Sequence, residues 1–383
     1  MIQLIRPLFL LVTIYLTLIG GFSYAGDAEP VVKFSKISEN FWVLHQGQGY
    51  GANVGLVTGD DGILLIDSGT KEAAPKILKA IRKISNKPIR YVINTHQHGD
   101  HRGGNEIFVA EGATIIYPDY IKFASRYTGA SRDIRFKDQM SLKMNGEIIN
   151  IYHQKSHTWN DAVVHLENNN AVFTGDNHAT NWGPQVGARG MRSHRDVMGL
   201  VKGLSNDKTL IVPGHKKLAD LEQVNQYDQK TEEWYELVLA MHNQGKSIDT
   251  IFEDKRISDM LKWFHGGKMP ASIPEDRLRA RVEYTIFAEE TSKIKLSPEE
   301  MDRYVGFYQL SDGSQVEIIR HEFELYAFKA KTFMAYLMPI SKTRFDFNGW
   351  NEKEHLLFEL NSTGLPTELR FSVNDKVEFS AAR

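Results

Sequence analysis

Thr95-His96-Gln97-His98-Gly99-Asp100-His101 follows the apolar-rich run Ile89-Arg90-Tyr91-Val92-Ile93. Three imidazoles and a carboxylate at the end of a strand concentrate neutral nitrogen donors and one anionic oxygen at a single point. Zinc favours those ligands, with Zn–N distances of roughly 2.0–2.1 Å. In extended backbone, residues two apart share a side, so His96 and His98 are placed to grip one ion. Asp100 and His101 lie just beyond, placed to hold a second. One loop cannot complete two coordination shells, and further donors stand downstream. His157 follows the segment Ile148-Ile149-Asn150-Ile151-Tyr152, Asp176 follows Ala171-Val172-Phe173-Thr174-Gly175, and His215 ends Ile211-Val212-Pro213-Gly214-His215. In each case a short apolar strand runs into a loop that opens on a ligand-type residue. The seven candidates together suit two metals with positions left open for water.

The ordered series His96-x-His98-x-Asp100-His101, then His157, Asp176 and His215, closely resembles the metallo-β-lactamase superfamily. Asn53-Val54-Gly55-Leu56-Val57 and Gly62-Ile63-Leu64-Leu65-Ile66-Asp67-Ser68-Gly69 reinforce it, and the resemblance covers roughly residues 37 to 290. It implies an αββα sandwich with the metals at one edge of two sheets. It implies that His96, His98 and His157 bind one zinc, that Asp100, His101 and His215 bind the other, and that Asp176 bridges them. Asp67 matches an aspartate that supports the metal loop from behind. An aspartate at 176, in a chain with no cysteine, resembles glyoxalase II and the lactonases more than the zinc β-lactamases, which usually carry cysteine or serine there. His98 stands where the di-iron oxygen- and nitric-oxide-reducing relatives typically have glutamate, which favours zinc hydrolysis over redox chemistry.

Two zinc ions sharing a water lower its pKa from about 15.7 toward 7, so hydroxide exists at neutral pH to attack a carbonyl or phosphoryl centre. Asp100 is expected to ligate metal and to orient the water or accept its proton. No Gly-x-Ser-x-Gly elbow is present, and the lack of cysteine removes the thiol nucleophiles. The expected activity is hydrolysis of a small ester, thioester, lactone or amide, β-lactams included, with two Zn2+ per chain and with manganese or iron as alternatives set by metal supply. The competing readings are a phosphodiesterase using the same site, and a metal-dependent binding protein with a vestigial site.

The chain has 383 residues, 42% apolar and 25% charged, ample for more than one core. A net charge of −2 gives no global basic field of the kind nucleic-acid binding needs. Arg6, the uncharged run Pro7 to Gly21, and Ser23-Tyr24-Ala25 before Gly26 read as a cleavable signal peptide over residues 1–25. An exported chain, periplasmic or secreted and without stable membrane association after cleavage, is the expectation. The competing reading is a retained anchor, because the uncharged span is close to the ~20 residues of a spanning helix.

Three sections are expected in the mature chain. Residues 31–219 alternate strands with helices, as in Gly62–Asp67 followed by Lys71–Ile84, and form the α/β catalytic domain. Residues 220–292 read as a helical extension packed on it, with Trp234, Leu237, Val238 and Met241 at helical spacing and Gly245 placed as a C-terminal cap. Residues 296–383 read as a small antiparallel β domain, with runs Gln315–Arg320, Phe323–Phe328, Phe333–Ile340, Arg344–Phe347, His355–Leu360, Thr367–Val373 and Lys376–Ser380. Leu296-Ser297-Pro298-Glu299-Glu300, Tyr304-Val305-Gly306-Phe307-Tyr308 and Leu337-Met338-Pro339 resemble, more weakly, a β-barrel module appended to some exported β-lactamase-like and peptidase-like enzymes. Its role is open between an active-site wall, an oligomer contact and a passive stabilising domain. Around the site, His178, Asn181 and Trp182 lie in a loop placed to cover the pocket, Trp182 being either a stacking surface for substrate or a buried anchor. Asp161 is either a partner for a ligand histidine or a cap of its own turn. His153, His165, His194, His242, His265, His321 and His355 have no ligand-like context.

Overall fold

The computed structural model describes residues 32–45, 51–118, 132–180, 182–186, 190–321, 324–330, 332–347 and 354–383. The signal-peptide reading over 1–25 and Asn181 lie outside the described residues.

Gly62-Ile63-Leu64-Leu65-Ile66 shows why the chain layers as it does. Leu64 and Ile66 point into one apolar cluster, Ile63 and Leu65 into another, and all four are fully buried. A strand covered on both faces reads as a continuous apolar run. It belongs to a seven-stranded sheet in chain order: β1 (Lys33–Lys36), β2 (Phe41–His45), β3 (Val54–Gly59), β4 (Gly62–Ile66), β5 (Ile89–Ile93), β6 (Thr114–Pro118) and β7 (Asp133–Phe136). β1 to β4 pair antiparallel and β4 to β7 parallel. Helices α1 (Ala74–Ile84), α2 (Gly99–Arg102) and α3 (Asn105–Ala110) arise within the parallel half. Ile77 and Ile81 of α1 and Phe108 of α3 cover the outer face. α1 starts three residues later than its apolar spacing suggests, because the Thr70 hydroxyl accepts the Ala73 N–H at 3.1 Å and holds residues 71–73 in a turn.

The second sheet runs β12 (Leu210–Pro213), β11 (Ala171–Gly175), β10 (Asp161–Leu166), β9 (Glu147–Gln154), β8 (Gln139–Met144), with only β11 and β12 parallel. Its inner face meets the first sheet through Ile149, Ile151, Val164, Phe173 and Val212 against Phe41, Val57, Leu64 and Ile93. Its outer face is covered by Val197, Met198 and Val201 of α4 (Met191–Gly203) and Val224 of α5 (Leu221–Asn243). The layers are therefore αββα, as the sequence implied.

α5 begins with a reciprocal cap in which Asp220 accepts from Gln223 N and Gln223 accepts from Asp220 N. Beyond Val224 it joins α6 (Ile248–Phe252), α7 (Lys255–Phe264) and α8 (Glu275–Lys293) in a separate core around Trp234, whose indole N–H donates to Thr285 Oγ1 at 2.9 Å. One helix thus shares in both cores and fixes the helical layer on the sandwich. No helix among the described residues is long and apolar enough to cross a membrane.

Asp228 of α5 ties this layer to α4, accepting from His194 Nε2 at 2.9 Å and Lys202 Nζ at 2.6 Å. Burial pushes its carboxyl up, but these bonds outweigh that and hold it below the usual range. A carboxylate depressed in the folded state gives stability that is full above its unfolded pKa of about 3.9 and lost as pH falls through the lower native value. Asp228→Asn is therefore expected to flatten the acid limb of stability. Urea midpoints measured from pH 3 to 6 check this, and an unchanged acid limb overturns it.

After α9 (Pro298–Asp302), eight antiparallel strands close a barrel: β13 (Gly306–Leu310), β14 (Gln315–His321), β15 (Glu324–Lys329), β16 (Thr332–Pro339), β17 (Arg344–Phe347), β18 (Glu354–Leu360), β19 (Pro366–Val373) and β20 (Lys376–Ala382). All seven expected runs are strands over their described residues, Phe323 lying outside them. The eighth, β13, pairs with both β14 and β20 and closes the ring. The interior is filled by Tyr308, Val316, Ile318, Leu325, Leu337, Phe345, Phe358 and Leu369.

Candidate metal centre

The chain leaves β5 at Ile93, bends through residues 95–98 and enters the single helical turn of α2. His98, at φ −66° and ψ 150°, is extended and caps that turn. Asp100 and His101 are therefore helical. The helical turn brings the two to one side and lets Gly103 pack where a Cβ would lie 2.3 Å from Gly99 O. Three loops of the second sheet supply the other donors: His157 between β9 and β10, Asp176 after β11, and His215 after β12. β11 and β12 end side by side, and Gly214 N donates to Gly175 O at 2.8 Å. A Cβ at Gly214 would fall 2.0 Å from Asp176 Oδ1, so glycine alone fits.

All seven candidates converge in two adjacent groups. His96, His98, His157 and Asp176 form one, and Asp100, His101 and His215 the other, with the donor atoms of each within 4.8 Å of one another. In the first, His98 Nδ1 lies 3.0 Å from His96 Nε2 and 3.2 Å from His157 Nε2. In the second, Asp100 Oδ2 lies 3.3 Å from His215 Nε2 and 3.9 Å from His101 Nε2. Asp176 touches both: Oδ2 is 3.6 Å from His157 Nε2 and 3.9 Å from His96 Nε2, Oδ1 is 3.2 Å from His101 Nε2, and His215 Nε2 lies 3.2 Å from each oxygen.

The rings are oriented from behind. Asp67, at φ 63° where β4 ends, accepts from Thr95 N at 2.7 Å, Thr95 Oγ1 at 2.8 Å and His101 Nδ1 at 2.8 Å. That leaves His101 Nε2 aimed into the centre. His215 Nδ1 meets Gly51 O at 3.0 Å, and Asn53 holds the same loop by donating to Pro213 O and Lys216 O. Asn177 Oδ1 accepts His157 N at 3.1 Å. Asp161 takes the second of its two expected roles, accepting from Thr158 N and Thr158 Oγ1 to tighten the His157 loop.

Burial lowers His96 and His98 and takes His157 down to about 3, so these rings are neutral with lone pairs free to bind metal. Burial acts on His101 and His215 in the same sense, but the adjacent Asp176 carboxylate raises both. Asp176, pushed up by burial, is in turn held well below the usual range by His215 and His101. His101 Nε2 and Asp176 Oδ1 are buried and face each other without making a hydrogen bond. Unsatisfied buried polar atoms of this kind call for a partner. Five imidazoles and two carboxylates around them fit divalent cations of the zinc type.

Trp182 stacks on the His215 ring, 5.1 Å between centroids at 14°, with Lys216 Nζ over the indole at 6.0 Å. It is half-buried, so its indole lies beside the second donor group. His178 is buried against Tyr227 and belongs to neither donor group. His153 has a role its context did not announce: its nitrogens lie 2.9 Å from Lys137 O and 3.1 Å from Trp159 O, tying β9 to the His157 loop. Arg281 of α8 was also missed. A Cβ on Gly183 would lie 3.3 Å from its Nε, and its charge helps to lower His157. No local signal in α8 marks it.

Residues 47–215 match the family model described as the Metallo-beta-lactamase superfamily. Among curated proteins, the chain is 29% identical over 168 residues to an atrochrysone carboxyl ACP thioesterase of Emericella nidulans, covering 41% of this chain and 52% of that protein. It is 26% identical over 201 residues to the beta-lactamase-like protein 2 homolog of Caenorhabditis elegans, covering 49% and 64%. It is 29% identical over 160 residues to the metallo-beta-lactamase type 2 of Elizabethkingia meningoseptica, covering 38% and 61%. The chain thus spans from about half to just under two thirds of the length of these relatives. Among solved structures, a metallo-beta-lactamase from Pontibacter korlensis aligns with TM-score 0.47 at 20% identity, covering 52% of this chain and 98% of that one.

Proposed function

Because residues 47–215 match the family model described as the Metallo-beta-lactamase superfamily, we propose that the chain is an exported hydrolase holding two zinc ions and cleaving a small ester, thioester, lactone or amide. The observation that carries this reading is Asp176, whose carboxylate reaches both donor groups, His96 and His157 through Oδ2, His101 through Oδ1 and His215 through both oxygens. His96, His98 and His157 would hold one ion, and Asp100, His101 and His215 the other, with Asp176 shared between them. Bound there, the ions supply Lewis acidity and bring the pKa of water from about 15.7 toward 7.

The residues of the chain do the rest. Asp100 is the more exposed of the two carboxylates, 26% against 11% for Asp176, and sits where a water's proton can be received. Asp67 and Gly51 O fix the ring faces of His101 and His215, so no donor has to reorganise when substrate arrives. Export rests on Arg6, the run Pro7–Gly21 and Ser23-Tyr24-Ala25. An acyl substrate is favoured over a nucleic-acid phosphodiester by the net charge of −2, which gives no basic field for a polyanion.

The test is elemental analysis of the purified mature chain paired with turnover of a chromogenic cephalosporin, a thioester, a lactone and a bis-aryl phosphodiester. About two zinc ions per chain, hydrolysis of one acyl class, and loss of both on chelation are expected. Trace metal, or cleavage of the phosphodiester alone, overturns the proposal.

A further inference from the structure

The loop that carries His157 differs from the other donor loops in what holds it. His101 sits on a helical turn anchored by Asp67, and His215 follows a paired strand anchored by Asn53. Residues 155–160 form no helix or strand. Side-chain contacts must therefore set where His157 points. On one side these come from the sandwich itself: Asp161 on Thr158, His153 on Trp159 O, and Asn177 on His157 N.

On the other side they come from the barrel. β15 and β16 turn alternate residues inward and outward. Leu325, Ala327, Ala335 and Leu337 fill the barrel, while Tyr326, Phe328 and Met338 face out yet are almost fully buried. What buries them is Trp159, two residues from His157, with Phe287 of α8 packed alongside. The Trp159 and Tyr336 rings lie 4.0 Å apart between centroids at 36°, and Tyr336 meets Tyr326 edge-on at 5.5 Å. Two residues before His157, Lys155 Nζ lies 3.9 Å from Glu324 Oε1, and Glu324 Oε2 accepts from Tyr326 Oη at 2.8 Å. The buried outer aromatics of the barrel thus meet the His157 loop directly, with α8 beside it.

We infer that the outer face of β15 and β16 is a positioning surface for the metal centre, with Tyr336 the positioning residue that sets His157 through Trp159. This rests on the metal reading above and extends it, because the barrel then governs one donor group and leaves the other alone. None of the barrel contacts just described reaches Asp100, His101 or His215.

The experiment uses the full chain and resolves the two metal-binding steps by competition with a chromophoric chelator, with cobalt(II) spectra as a second readout. Tyr336→Ala is expected to weaken one step by about 10–100-fold, the range for partners that orient a ligand, and to leave the other within about twofold. Tyr336→Phe, which keeps the ring stack, is expected to bind as the parent does. Should the alanine variant fail to fold, Tyr336→Leu keeps an apolar filling without the ring and is read the same way. Both steps weakened alike, or neither changed, overturns the inference while leaving the two-ion parent intact. A parent chain that binds no metal overturns the underlying reading and this inference with it.

Discussion

Asp176→Ala is expected to reduce bound metal to traces and to lower turnover by at least about 10³-fold, roughly 4 kcal/mol of transition-state stabilisation at about 1.36 kcal/mol per tenfold. The size follows from geometry. Oδ2 lies near His96, His157 and His215, and Oδ1 near His101 and His215, so one truncation removes a donor from both groups. It also takes away the anion that offsets five crowded imidazoles. Asp100→Ala is the informative contrast, since Asp100 belongs to one group only. It is expected to lose one ion, keep the other and still lose orders of magnitude in turnover, with the fold intact. Elemental analysis of both variants beside their turnover on the responsive substrate checks the pair. Retention of two ions by Asp176→Ala shows that the shared position is misassigned.

Asp67→Ala is expected to destabilise the metal-free protein by about 3–5 kcal/mol. Its carboxylate, 2% exposed, accepts from Thr95 N, Thr95 Oγ1 and His101 Nδ1. Alanine removes one acceptor from three buried donors at about 1–3 kcal/mol each, less than additively because they share it and because Thr95 Oγ1 still faces His101 Nδ1 at 3.2 Å and His96 Nδ1 at 3.3 Å. The backbone adds to this: φ is 63°, a conformation that costs most L-residues roughly 1–2 kcal/mol and that asparagine and aspartate adopt more readily. Asp67→Asn keeps the backbone preference and one acceptor oxygen and is expected to lose about half as much. Urea unfolding with chelator present isolates the effect from metal affinity. Equal losses for the two variants refute the hydrogen-bond account. Against a typical total of about 5–15 kcal/mol, alanine here brings the fold near its threshold.

The sequence makes the donors legible because each follows a short apolar strand, and apolar strand followed by His or Asp is a local pattern. It makes the αββα layers legible through runs such as Gly62–Ile66, where both faces are covered. The supports are harder to see. Asp67 is legible only through the family resemblance, since its partners Thr95 and His101 lie beyond the neighbouring strand, and His153 reads as an ordinary histidine because its partners are backbone carbonyls. Glu324-Leu325-Tyr326-Ala327-Phe328 gives a strand but conceals its purpose. With one face in the barrel and the other against Trp159, polar and apolar residues do not alternate, so the pattern does not say which face meets which neighbour. β13 escaped notice for the opposite reason: its Phe307 and Gln309 face outward and only two inward residues mark it. Arg281 shows the general limit, since nothing within α8 distinguishes it from the other arginines there.

The donors come from both sheets, four positions around β5 and α2 and three from the ends of the second sheet. Neither sheet alone presents a complete centre. In kinetic terms an ion is a latch and not a nucleus, because it finds its full donor set only after the long-range docking that limits folding. Contacts absent from the transition state slow unfolding and leave the folding rate almost untouched. For a chain without a single cysteine to cross-link it, the lifetime of the folded sandwich is then set by metal supply, while the time needed to fold is not.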